Sequence, residues 1–101
     1  DKFERSGLTA VKSSKVNAPV VVEFPVTLEC RAAEIKHEAY GFHVLGEIVG
    51  VLADDCVLDE KGKINPEKLN AFVFDPFKNG YYAIGEKVGE AWRSGTPLMK
   101  K

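Results

Sequence analysis

Three features of the sequence predict a mainly β fold. Val26 to Lys36 alternates apolar and polar residues with a period of two, the pattern of a half-buried strand. Phe42 to Ala53 is a second long run rich in Val, Ile and Leu. Turn chemistry recurs around them at Asp59-Glu60-Lys61-Gly62-Lys63, Asp75-Pro76 and Asn79-Gly80, and helical signals are confined to short pieces.

Taken in order, Asp1 to Arg5 reads as the last turn of a helix closed by Ser6-Gly7, because Gly just past a helix end is the usual left-handed cap. Leu8 to Asn17 is polar and reads as an irregular connection. Ala18 to Pro25 reads as extended; its two prolines remove backbone donors and confine it to an edge. In the next strand Val26, Leu28 and Cys30 share one parity, and Ile35 falls on the other. A bulge at Ala32-Ala33 would restore the buried face. By the same pattern Cys30 is expected to be a small buried hydrophobe. His37 to Gly41 reads as a reversal. In the following strand Phe42, Val44 and Ile48 lie on one face, and Leu45, Val49 and Val51 on the other. Such a two-sided strand is expected to be covered on both faces. Gly46 and Gly50 share a face, where something can approach the backbone closely.

Cys56-Val57-Leu58 reads as a short strand piece, and Gly62 supplies a positive φ to the charged turn after it. Asn65-Pro66 is a helix start, with Asn as N-cap and Pro at the first position, followed by a single turn. Ala71 to Phe74 and Tyr81 to Ile84 read as two short strands. Glu86 to Arg93 reads as a short helix with Val88, Ala91 and Trp92 on one side, stopped by Ser94-Gly95-Thr96-Pro97, and Lys100-Lys101 as a solvated tail.

Composition narrows the function classes. The 101 residues carry 14 Lys and Arg against 15 Asp and Glu, a net charge of −1, and 45% are hydrophobic. That balance argues against nucleic acid or an anionic membrane as the main partner. No apolar run approaches the ~20 residues of a membrane-spanning helix. Two cysteines cannot form a disulfide framework, which points to a reducing, cytoplasmic setting. Length alone suggests one compact domain.

Familiar catalytic signatures are absent. There is no Gly-x-x-x-x-Gly-Lys-Ser/Thr, Gly-x-Gly-x-x-Gly or Gly-x-Ser-x-Gly run. Cys30, Cys56, His37 and His43 lack the paired spacing of a metal site, so no metal is expected. A calcium loop centred on Gly62 would put Val57 and Lys68 at ligand positions, and neither ligates. His43 reads as a structural histidine. Tyr81 and Tyr82 are adjacent in a strand and must point to opposite faces, so one faces away from any core and can meet a planar ligand or a partner subunit.

Several phrases carry a family resemblance. Asp1-Lys2-Phe3-Glu4-Arg5-Ser6-Gly7-Leu8-Thr9, Ala18-Pro19 leading to Phe24-Pro25-Val26-Thr27-Leu28-Glu29-Cys30, and Leu45-Gly46-Glu47-Ile48-Val49 occur in that order. Val57-Leu58-Asp59-Glu60-Lys61-Gly62 and Tyr81-Tyr82-Ala83-Ile84-Gly85-Glu86 follow. Together they resemble the C-terminal half of flavoredoxins and flavin reductase-like proteins, along essentially the whole chain. The resemblance implies an FMN-binding split barrel, six-stranded, antiparallel and Greek-key, of which residues 1–101 are the C-terminal half. It implies a homodimer that passes electrons from NAD(P)H or a redox partner through non-covalent FMN. Lys2 and Phe3 match the family's loop near the flavin; Lys2 would offset phosphate charge, and Tyr81 or Tyr82 would flank the flavin or the dimer seam. The family's preceding segment, which carries most FMN contacts, is not in this sequence, so the chain alone is expected to be inactive and to bind FMN weakly. Many flavin reductases have a His five residues before the Gly-Glu strand; here that position is Gly41, and His43 lies three before Gly46. The alternative reading is a non-catalytic, β-rich module that self-associates through apolar faces.

Overall fold

The computed structural model describes residues 1–100; the tail expected at Lys101 lies outside the described residues, as does the Lys100 side chain. Its centre is a long antiparallel ribbon. The third and fourth strands, β3 (Val26–Glu38) and β4 (Gly41–Ala53), pair from Val26↔Ala53 to Glu38↔Gly41 around a two-residue turn at Ala39-Tyr40. Phase shifts interrupt the pairing between Ala32 and Glu34, where the change of apolar parity predicts a bulge, and between Glu29 and Cys30, where it does not.

Ahead of the ribbon lie a short helix and a small hairpin. Helix α1 (Lys2–Ser6) is capped by the Asp1 carboxylate, which accepts from the Phe3 amide at 2.7 Å. It ends at Gly7, whose φ of 74° is the left-handed closure that glycine adopts without penalty. The polar stretch expected to be irregular instead forms β1 (Ala10–Lys12), paired with β2 (Pro19–Val21). Pairing succeeds because Pro19, lacking an N–H, sits at the first position of its strand, where little ladder bonding is forfeited. Glu23 fastens the open end by accepting from the Thr9 amide and hydroxyl, both at 2.8 Å.

Beyond the ribbon, Asp55–Val57 is a 3-10 turn rather than the expected strand piece, because the Val57 and Leu58 amides bond back to Asp54 and Asp55. The Asp59 side chain nucleates the charged turn by accepting from the Lys61 and Lys63 amides, and Gly62 supplies φ 77°. Helix α2 (Pro66–Leu69) starts as its sequence predicts, with Asn65 accepting from the Glu67 and Lys68 amides at 2.8 and 3.2 Å. A last hairpin pairs β5 (Phe72–Asp75) with β6 (Gly80–Ala83), and Asn79 takes a left-handed φ of 54° in its turn. The helix expected over 86–93 does not form; the segment is irregular and a 3-10 turn follows at Thr96–Lys100. Gly89 interrupts it, and its apolar side has nothing to pack on: Val88 and Trp92 are fully exposed.

The six strands therefore form three separate two-stranded sheets, an open mainly β arrangement and not a closed barrel. Val57 is the one buried hydrophobic residue among those described. The Cα radius of gyration is 18.1 Å, against about 13 Å for a compact chain of ~100 residues. Accessible surface is 9180 Å². A compact 11.1 kDa chain exposes about 5,700 Å², so about 3,500 Å² is uncovered in excess. The expectation that β4 is covered on both faces is corrected accordingly: Val44, Leu45, Ile48 and Val51 are all exposed, since β4 pairs only with β3 and no layer lies over either face. Cys30 is likewise exposed, not buried, for the same reason.

Candidate functional site

The hairpin β5–β6 carries a ledge of aromatic rings. Phe74 lies directly opposite Tyr81, and Phe72, two residues earlier on the same strand, shares their face. The Tyr81 ring meets Phe72 edge-on at 5.1 Å between centroids and Phe74 at 5.7 Å. These are the separations at which offset and edge-to-face pairs attract, so the rings hold one another in place without a core behind them. Tyr81 nevertheless remains 72% exposed and Phe74 55%. Tyr82 points the other way, opposite Val73, and is half exposed. The alternation that separates the two tyrosines is thus realised. That Phe72 and Phe74 share a face with Tyr81 follows only once the register is known.

Lys2 and Phe3 sit on α1. Lys2 is exposed and Phe3 half-buried, with the Phe3 carbonyl accepting from the Gly7 amide at 3.1 Å. Among the described residues no hydrogen bond, ion pair or ring contact joins Lys2 or Phe3 to Tyr81 or Tyr82. The four residues singled out by resemblance therefore lie as two groups, not as one assembled site.

His43 is exposed and its side chain makes no hydrogen bond among the described residues, which corrects its reading as a satisfied structural histidine. His37 stacks on Phe42 across the ribbon tip at 4.9 Å. No group of three His, Cys, Asp or Glu side chains that could hold a metal ion occurs among the described residues. No helix is long and apolar enough to cross a membrane.

The Glu23 carboxyl is held below its ordinary range by the Thr9 amide and then the Thr9 hydroxyl. The Asp59 carboxyl is lowered by the amides of Lys63 and Lys61. Both are turn-forming groups and neither touches the aromatic ledge.

Among the described residues, one interior polar cluster joins the β1–β2 loop to the ribbon. Glu29 is 3% exposed and accepts from the Ser13 hydroxyl at 2.5 Å. Ser13 in turn accepts from the Lys15 and Val16 amides at 3.0 and 3.1 Å. Glu29 pairs with Gly50, and a Cβ there would fall 2.6 Å from both Glu29 Oε1 and Lys15 Cδ. The bare backbone at Gly50 is the close approach that a glycine within a strand foreshadows.

No protein-family model matches the chain. Among solved structures it is similar to the flavoredoxin of Desulfovibrio vulgaris (Miyazaki F), at 35% identity and a TM-score of 0.81, covering 94% of this chain and 50% of that one. It is also similar to a flavin reductase with a split barrel domain from Shewanella frigidimarina, at 30% identity and a TM-score of 0.68, covering 89% of this chain and 46% of that one. Among curated proteins, the uncharacterized protein YdfE of Bacillus subtilis (strain 168) is 28% identical over 102 residues, covering 95% of this chain and 47% of that protein. The chain spans about half the length of these relatives. The three open hairpins leave their apolar faces bare and do not close a barrel among the described residues. By fold and by sequence, the chain is similar to one half of the flavoredoxin and flavin reductase-like split-barrel proteins.

Proposed function

We propose that the chain is the C-terminal half of an FMN-dependent oxidoreductase of the flavoredoxin or flavin reductase type, cytoplasmic and homodimeric. It would take electrons from NAD(P)H or a redox partner. The observation that carries this reading is the match to a flavoredoxin over 94% of the chain at 35% identity. The excess of about 3,500 Å² of surface supports it: a standard interface covers about 800 Å² per partner, so these faces call for the rest of a domain rather than an ordinary contact.

The residues present fit part of a flavin site. Phe72, Phe74 and Tyr81 offer an exposed π surface of the kind a planar heterocycle stacks on. The depressions of about 500 and 550 Å³ are lined by other residues. In this reading Tyr81 or Tyr82 contacts the ring system or the dimer seam, Phe3 contributes apolar cover, and Lys2 balances phosphate charge. The cofactor supplies the hydride and electron chemistry; the protein binds and orients it and keeps water from one face.

The test adds FMN to the purified 101-residue chain and, separately, to the intact protein that carries it, following flavin absorbance. The intact protein is expected to bind stoichiometrically, with Tyr81→Ala or Phe74→Ala weakening it about tenfold, the equivalent of 1.4 kcal/mol. The chain alone is expected to bind weakly. Tight binding by the chain alone would refute the need for a second half, and an intact protein indifferent to flavin overturns the function. The same bare faces also favour a self-associating β-rich module. Sedimentation decides this, since a folded, strictly monomeric chain without flavin counts against both readings.

A further inference from the structure

The outer half of the β3–β4 ribbon is strongly two-faced. Among the described residues, the hydrogen bond that joins the ribbon to another element is that of Ser13 to Glu29, so about 30 Å of strand runs on from Glu29 to the tip at Glu38. The register sorts the side chains along it. On β3, Arg31, Glu34, Lys36 and Glu38 fall on one face, joined by Glu47 of β4 opposite Arg31. These are all five of the Asp, Glu, Lys and Arg residues between Cys30 and Ile48. The rungs Ala32↔Gly46, Ile35↔Val44 and His37↔Phe42 fall on the other face. There Ile35, Phe42 and Val44 are each more than half exposed.

That uncharged face is graded in size, and the grading is complementary to itself. The His37–Phe42 rung is bulky, with its rings stacked at 4.9 Å between centroids. The Ile35–Val44 rung is intermediate, and the Ala32–Gly46 rung is the smallest. A Cβ placed on Gly46 would meet Cys30 Cβ at 3.4 Å, an ordinary contact, so this rung is a shallow hollow rather than a filled one. Two ribbons laid face to face and antiparallel, with a two-fold axis at the Ile35–Val44 rung, bring each bulky rung over the other's smallest one. Large against small is how facing sheets interdigitate at ~10 Å, and a contact built on one patch used twice is the kind that closes as a dimer. Burying this face strands no ionised side chain of the stretch, because the register holds all five on the far side.

We propose that the outer ribbon is the contact with a second copy of the protein, the Phe42 ring of each copy seating on Ala32 and Gly46 of the other. This rests on the homodimeric reading given above and names its surface. Area permits it: the excess of about 3,500 Å² is several times the ~800 Å² that each partner gives to a standard interface, enough for a second copy beside the other half. Reach favours it too. The relatives are about twice as long as this chain, and a compact chain of about 200 residues has a radius of gyration of about 16–17 Å. An arm of about 30 Å reaches the periphery of such a body, where another copy can meet it.

The experiment is sedimentation equilibrium of the intact protein, with FMN absorbance and urea unfolding followed on the same variants. Ile35→Glu sets two carboxylates against each other at the axis and should raise the dimer Kd about a hundredfold or more. Leu45→Glu, on the charged face, should leave Kd within about twofold. Gly46→Leu fills the hollow and should weaken the dimer about a hundredfold, tenfold for each of its two equivalent contacts. Phe42→Ala alone should also weaken it, yet the Phe42→Ala, Gly46→Leu double variant should dimerise more tightly than either single one. That rescue is the signature of the swapped contact, and it does not depend on Ile35→Glu folding. A dimer indifferent to all these changes overturns the proposal and leaves the homodimeric flavoprotein reading in place. A monomeric wild type that binds FMN overturns the proposal together with the homodimer, but not the flavin function. Variants that lower the unfolding midpoint independently of protein concentration, without rescue, place the other half of the same chain over this face and overturn the proposal as well.

Discussion

Removing the bond between Ser13 and Glu29 should be among the costliest single changes available in this chain. Glu29 is 97% buried, its Oε2 has one partner, and its Oε1 has none. A hydrogen bond to a charged group contributes about 1.5–3 kcal/mol net, and a partner left buried without one adds its own desolvation cost. Ser13→Ala therefore loses that bond, strands the carboxylate, and frees the Lys15 and Val16 amides, which water partly rescues because they are only part-buried. Glu29→Ala removes the charge together with the bond and strands only a hydroxyl. The expected order is Ser13→Ala worse than Glu29→Ala, although alanine at 29 deletes far more atoms, with a coupling of ~1.5–3 kcal/mol in the double-mutant cycle. Urea unfolding of the intact protein, with the two singles and the double at constant pH, measures it. A coupling below ~0.5 kcal/mol, the usual additivity error, would refute the reasoning. So would a larger loss from Glu29→Ala than from Ser13→Ala.

Other outcomes follow from single turns and close approaches. Gly50→Val should destabilise the intact protein by ~1–3 kcal/mol, because its Cβ would meet Glu29 Oε1 and Lys15 Cδ at 2.6 Å; introduced into a Glu29→Ala, Lys15→Ala background, the same change should add little further loss. Asn65→Ala should cost ~1 kcal/mol by uncapping α2, and amide exchange at Glu67 and Lys68 should speed up before the rest of the chain responds. Glu23 and Asp59 have folded-state pKa values below their ordinary ones, so each stabilises the fold fully above the unfolded carboxylate range of ~3.9–4.3, and the contribution is lost as pH falls through the depressed folded value. Thr9→Val removes the hydroxyl bond to Glu23 and should move that carboxyl's titration upward in a carbon-detected NMR series; an unmoved inflection would show that the hydroxyl does not contribute.

What the sequence made legible is what depends on neighbours within a few residues. The Gly7 closure, the Asn65 cap, the Gly62 turn and the β3–β4 reversal each rest on one side chain or one dihedral, and each occurs as its residues dictate. The β1–β2 hairpin was not legible, because Leu8 to Asn17 carries no alternation, and its pairing depends on Val20 and Val21 beyond a turn. The helix over 86–93 failed for the converse reason. Its apolar side is well spaced, but an isolated turn or two is marginal in water, and nothing in this chain covers it. Cys30 and Glu29 show the same dependence most sharply. Alternation assigns Val26, Leu28 and Cys30 to an inner face and Glu29 to the outer one, yet Leu28 is 53% exposed and Glu29 is buried. Nothing is wrong with the parity. The loop at Ser13–Val16 is what lies over Glu29, whereas the apolar face awaits cover that these residues do not supply. An amphipathic strand states which face must be covered, never by what. Here the pattern marks an apolar surface on β3 and β4 that no other strand among the described residues covers.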